Sequence, residues 1–86
     1  MVERTVMIIN PSGIHARPAK MVVDFVKDYP GEVEVIKDGK SANLKSIIMV
    51  MTMGLKMDAE VTIRVCGQQE EIFLDALCEL IQNLED

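Results

Sequence analysis

No apolar run in this chain of 86 residues approaches the ~18 needed to cross a membrane. Met1-Val2-Glu3-Arg4 leads straight into strand-forming residues instead of a signal peptide. A cytoplasmic protein with no membrane insertion is expected. Cysteine is scarce. Cys66 and Cys78 have neither zinc-ligand spacing nor a histidine neighbour, so they read as small buried hydrophobes, not as metal ligands or a disulfide. Neither a metal nor a cofactor is expected. Basic residues are lacking after Arg64, whereas Glu70, Glu71, Asp75, Glu79, Glu85 and Asp86 crowd the C-terminal segment. Together with a net charge of -5, this argues against direct binding of nucleic acid. Repeats, linkers and low-complexity tracts are missing too. With 49% hydrophobic content, 86 residues suffice for a single domain, 1–86, with one modest core.

Histidine occurs once, at position 15. Val6-Met7-Ile8-Ile9 before it are β-forming, and Asn10-Pro11-Ser12-Gly13 is a dense cluster of turn residues. From Ala16 onward apolar residues recur at Ala19, Val22, Val23 and Val26 with helical spacing, and Pro18 is compatible with that helix only in its first turn. The pattern therefore puts His15 at the cap of a helix. There the first backbone N–H groups have no acceptor within the helix and, with the helix dipole, form a site for an anion. Arg17 stands beside this opening with a planar guanidinium suited to phosphate oxygens. An imidazole is largely neutral near physiological pH, so its lone pair can attack phosphorus without a separate base. These residues suit a phosphohistidine held by the backbone N–H groups of Ala16 and Arg17 and by the Arg17 side chain. A polar cap beside a solvated arginine is the plainer alternative.

The rest of the chain reads as a frame for this site. Val33 and Val35 alternate with Glu32 and Glu34, and Asp38-Gly39 signals a tight hairpin into Ser41-Ala42-Asn43, while Tyr29-Pro30-Gly31 ends the preceding helix. Val61, Ile63 and Val65 alternate with Glu60, Thr62 and Arg64, which predicts a strand with one buried face. Phe73, Leu77, Leu80, Ile81 and Leu84 form the apolar stripe of a C-terminal helix. The order β-α-β-β-α-β-α implies an α+β fold, a two-layer sandwich with helices on one side of an antiparallel or mixed sheet.

Ser46 reads as the N-cap of a short apolar helix. Ile47, Ile48, Val50, Met51, Met53 and Leu55 are more apolar residues than one short helix buries against a small sheet. Val50 is therefore assigned inward, and Ile47, Ile48 and Met51 to an exposed, adaptable docking patch. A methionine-rich core is the alternative. Arg17, Lys20, Lys45 and Lys56 belong to the two motif-bearing regions. If those regions share a face, the chain presents a locally basic, partly apolar surface to acidic partners.

Ser12-Gly13-Ile14-His15-Ala16-Arg17-Pro18-Ala19 resembles the active-site signature of the HPr family, the histidine-containing phosphocarriers of the bacterial sugar phosphotransferase system. Asn43-Leu44-Lys45-Ser46-Ile47-Ile48-Met49-Val50-Met51, closed by Gly54, resembles the regulatory-serine region of members that occur with an HPr kinase. The likeness covers essentially the whole chain. It implies an open-faced sandwich with four strands in spatial order 1-4-2-3, covered on one face by three helices. It also implies a relay. Enzyme I, phosphorylated from phosphoenolpyruvate, passes the phosphoryl group to Nδ1 of His15, which passes it to the A domain of a sugar permease, so the chain is a carrier and not an enzyme.

By the same resemblance, an HPr kinase/phosphorylase acts on Ser46, and a catabolite-control transcription regulator is a further partner. Lys20, Lys45, Ile47, Ile48 and Met51 are assigned to partner docking, and a monomer is expected. Two features depart from the pattern. Lys20 stands where members more often carry a small or neutral residue, and Met49 and Met53 enrich the Ser46 helix in methionine. A signalling phosphocarrier that acts on regulators instead of transport is the second reading. A small-ligand-binding domain of the same architecture, without phosphotransfer, is the third.

Overall fold

Alternation of apolar and polar residues builds the sheet. In the computed structural model, which describes residues 1–84, the strands are β1 (Val2–Met7), β2 (Glu32–Lys37), β3 (Lys40–Asn43) and β4 (Glu60–Cys66). All three pairings are antiparallel, and the spatial order is β1-β4-β2-β3. Val33 and Val35 of β2 and Val61, Ile63 and Val65 of β4 are buried on one face, as the alternation predicts. The other face carries Glu3, Arg64 and Glu34 side by side on three strands, with Arg64 in ion pairs to both acids. Asp38 and Gly39 both have positive φ, as the two-residue turn between Lys37 and Lys40 requires.

Three helices pack over the apolar face: α1 (Ala16–Val26), α2 (Ile47–Thr52) and α3 (Glu70–Gln82). Ala19, Val22 and Val26 of α1, Val50 of α2 and Leu77 of α3 meet the sheet residues in a single core. Each fully buried Val, Leu or Ile contributes about 1.5–3 kcal/mol relative to exposure. Glu70 and Glu71 lie in the first turn of α3, where acids complement the helix dipole.

The stripe of α3 is rotated from the sequence reading. Leu74 and Cys78 join Leu77, Ile81 and Leu84 in the core, while Phe73 and Leu80 are half-buried at its border. Aromatic packing explains the placement of Phe73. Its ring stacks on Tyr29 at 4.1 Å and on Phe25 at 5.4 Å, filling the seam between α1 and α3. Cys78 is buried, and that burial pushes its thiol pKa up. Cys66, expected to be buried as well, is exposed: it follows buried Val65 at the end of β4 and so falls on the open face. Glu85 and Asp86, the last two acids of the C-terminal cluster, lie outside the described residues.

Candidate functional site

The segment from Asn10 to Ala16 turns the chain from the end of β1 into α1. Gly13 donates its N–H to the Asn10 carbonyl at 3.0 Å, and the Asn10 side-chain amide donates to the Gly13 carbonyl. Ile14 then donates to the carbonyl of Leu55 at 2.7 Å. Gly13 has φ of +70, and a Cβ there would collide with the Leu55 carbonyl oxygen, so both conformation and space call for glycine.

His15 is the N-cap of α1, with extended backbone (φ -91, ψ -167), and its carbonyl accepts the Ala19 N–H at 2.8 Å. Its imidazole makes no capping hydrogen bond, and the residue is exposed. Pro18 and Ala19 are buried and anchor the first turn. Pro18 lacks an N–H, so Ala16 and Arg17 supply the first-turn donors that have no acceptor within the helix. Both residues are exposed beside His15. The arrangement can accept an anion at the helix start and bring a guanidinium to it.

Ser46 caps α2 as its sequence suggests: its Oγ accepts the Met49 N–H at 3.3 Å and its carbonyl accepts the Val50 N–H at 3.1 Å. Gly54, with φ of +67, follows the C-cap Met53 and ends the helix. Because α2 packs against α1 and β3, the two motif-bearing helices lie together on one side of the molecule. Val50 is buried, whereas Ile48 is 73% exposed, Met51 45% and Met49 43%, so the short helix presents an apolar outer surface. Ile47, assigned to that surface from the sequence, is half-buried and packs against the core. It occupies the first turn of α2, where the helix meets its neighbours.

The basic side chains also have intramolecular work. Lys20 pairs with Asp24 at 2.7 Å, one turn further along α1, and Lys27 approaches the same carboxylate at 3.6 Å. The Lys20 hydrogen bond holds the Asp24 carboxyl below the usual carboxylate range. Lys45 is half-buried, and its ammonium donates to the Tyr29 carbonyl at 2.5 Å instead of reaching outward, which differs from the expected docking role. Lys56 is exposed next to Gly13 across the Leu55 contact. Asn10 and Leu55 are the parts of the site that sequence reasoning missed. Asn10 carried only a turn signal, and nothing in the spacing of residues ties Ile14 to Leu55.

No group of three or more His, Cys, Asp or Glu side chains that could hold a metal ion occurs among the described residues. None of the described helices is long and apolar enough to cross a membrane.

Comparison with known proteins agrees over nearly the whole chain. The family described as "PTS HPr component phosphorylation site" matches residues 2–83. The phosphocarrier protein HPr of Buchnera aphidicola subsp. Baizongia pistaciae is 34% identical over 85 residues, covering 99% of this chain and all of that protein. Among solved structures, HPr-C-His from Thermoanaerobacter tengcongensis is 36% identical with a TM-score of 0.90, covering 95% of this chain and 92% of that one. The Bacillus subtilis catabolite-repression protein Crh, described as a domain-swapped dimer, is 33% identical with a TM-score of 0.76, covering 95% and 94%. The chain therefore belongs to the HPr family, the phosphocarrier proteins of the phosphotransferase system.

Proposed function

We propose that His15 is the residue that carries the phosphoryl group. The observation that carries this reading is an exposed imidazole at the N-cap of an eleven-residue helix, beside the first-turn N–H groups of Ala16 and Arg17. The Nδ1 lone pair attacks the phosphorus held by phospho-enzyme I. An N–P bond forms as the bond to the donor breaks, and the reverse step delivers the group to the A domain of a sugar permease. The Ala16 and Arg17 amides and the Arg17 guanidinium meet the phosphoryl oxygens as charge spreads over them. An open site suits a carrier, because the group must leave as readily as it arrives, and short-lived complexes keep turnover fast.

Ile48, Met49 and Met51 form the apolar part of the docking surface, with Arg17 and Lys20 as its cations. Ser46 is the regulatory site, modified by an HPr kinase/phosphorylase and read by a catabolite-control regulator. The chain works as a cytoplasmic monomer, and sedimentation velocity tests that state. Similarity to Crh supports a second reading, in which the carrier serves regulators instead of transport.

Incubation with enzyme I and labelled phosphoenolpyruvate tests the main reading. An acid-labile, base-stable adduct is expected on the wild-type chain and none on His15→Ala, which keeps its fold because the side chain is exposed. Labelling of the His15→Ala variant at the wild-type level would overturn the assignment.

A further inference from the structure

Asn10 is the only polar or charged residue buried among the described ones, at 2% exposure. An asparagine in a turn cluster is ordinarily solvated, and burying a side-chain amide without partners costs about 1–3 kcal/mol in protein mutants. The Asn10 side-chain amide donates to the Gly13 carbonyl, while the Asn10 backbone carbonyl accepts the Gly13 N–H. Two bonds thus close the turn from both sides. Ile14 follows, fixed by its bond to the Leu55 carbonyl, and then His15, whose carbonyl already belongs to α1. The backbone is therefore held at Gly13, at Ile14 and at the start of α1, on both sides of His15.

We propose that Asn10 is a positioning residue for phosphoryl transfer at His15. By holding the Gly13 carbonyl it aims the turn, and through the turn the imidazole, at the phosphoryl group bound over Ala16 and Arg17. This inference rests on the reading of His15 as the phosphoryl acceptor. In-line transfer is sensitive to such placement, since a displacement of about 1 Å can cost on the order of 100-fold in rate. The amide does not touch the reacting atoms in this account, so it acts on rate and not on docking.

The test compares the wild-type chain with Asn10→Asp, which keeps the size but loses the donor, and with Asn10→Ala. With phospho-enzyme I as donor, kcat should fall at least about tenfold in both variants while KM stays within about twofold, because the docking surface is untouched. In NMR spectra of the unphosphorylated proteins, the His15 ring and the Gly13 to Ala16 amide resonances should move, while those in the middle of α3 should not. Folded variants with wild-type kcat and unmoved His15 resonances would overturn the proposal, as would a loss confined to KM.

Should both variants fail to fold, a wild-type measurement decides. Phosphorylating His15 should then shift the Asn10 side-chain N–H resonances, and their staying in place would overturn the proposal. Absence of any adduct on the wild-type chain would instead defeat the His15 reading. The ring and amide shifts of the unphosphorylated variants still report on Asn10 in that case.

Discussion

The amide of Ile14 donates to the carbonyl of Leu55 over 2.7 Å, tying the residue beside His15 to the segment that leaves α2. The helix capped by Ser46 and the loop that presents His15 are therefore joined through backbone as well as through the packing of α1 on α2. Gly13 makes the approach possible, since any side chain there would meet the Leu55 carbonyl.

Gly13→Ala should consequently be costly. It forces a non-glycine residue to φ near +70 and drives its Cβ into the Leu55 carbonyl. Strain of this kind costs on the order of 1–3 kcal/mol before any clash is counted. Urea unfolding should show a lower midpoint with an unchanged slope. A wild-type midpoint would contradict the close approach.

Arg17 is exposed in the first turn of α1, so its loss should leave the melting temperature nearly unchanged. Arg17→Ala should nevertheless slow phosphoryl transfer to His15 at least tenfold, or about 1.4 kcal/mol in the transition state. Rapid-quench kinetics with phospho-enzyme I would measure this, and unchanged rates would remove the guanidinium from the chemistry.

Ser46→Asp keeps an oxygen that can accept the Met49 N–H and adds negative charge at the start of α2, so it should melt no lower than wild type. The same charge lies at the base of the Ile48 and Met51 surface and should repel an acidic enzyme I. Transfer to His15 is expected to slow at least tenfold, about 1.4 kcal/mol. Phosphorylation at the wild-type rate would leave Ser46 as an N-cap with no regulatory role.

The Lys20–Asp24 pair gives a pH signature. Its hydrogen bond lowers the Asp24 pKa relative to the unfolded chain, so the associated stability is present above the ordinary aspartate value. That stability is lost as pH falls through the depressed folded value. Lys20→Ala should raise the Asp24 titration midpoint toward the ordinary value, as followed by carboxyl-carbon NMR. Lys27, at 3.6 Å, should leave part of the depression in place. An unmoved midpoint would show that the pair does not persist in solution.

Much of this architecture was legible in the sequence because it rests on local interactions. Period-two alternation placed Val33, Val35, Val61, Ile63 and Val65 on the buried face, and both observed strands obey it. Asp38-Gly39 specified its turn, Ser46 its cap, and the turn cluster before Ala16 with Pro18 in the first turn put His15 at the head of α1. In each case the residue type satisfies a backbone requirement set within a few positions of itself. The strand order β1-β4-β2-β3 has no such local signal, and it was anticipated through the family resemblance alone.

Tertiary packing decided the remainder. Whether Ile47 faces water, whether Lys45 reaches a partner or the Tyr29 carbonyl, and where Cys66 points depend on neighbours distant in the chain. The rotation of the α3 stripe toward Leu74 and Cys78 follows from the Phe25–Phe73–Tyr29 stack, which no spacing within α3 encodes. Residue type and spacing thus determined by themselves that a histidine would cap a helix beside an arginine. The fold alone decided how that histidine is held, by burying Asn10 and bringing the Leu55 carbonyl to Ile14, because a hydrogen bond between distant segments forms only when the core has set them face to face.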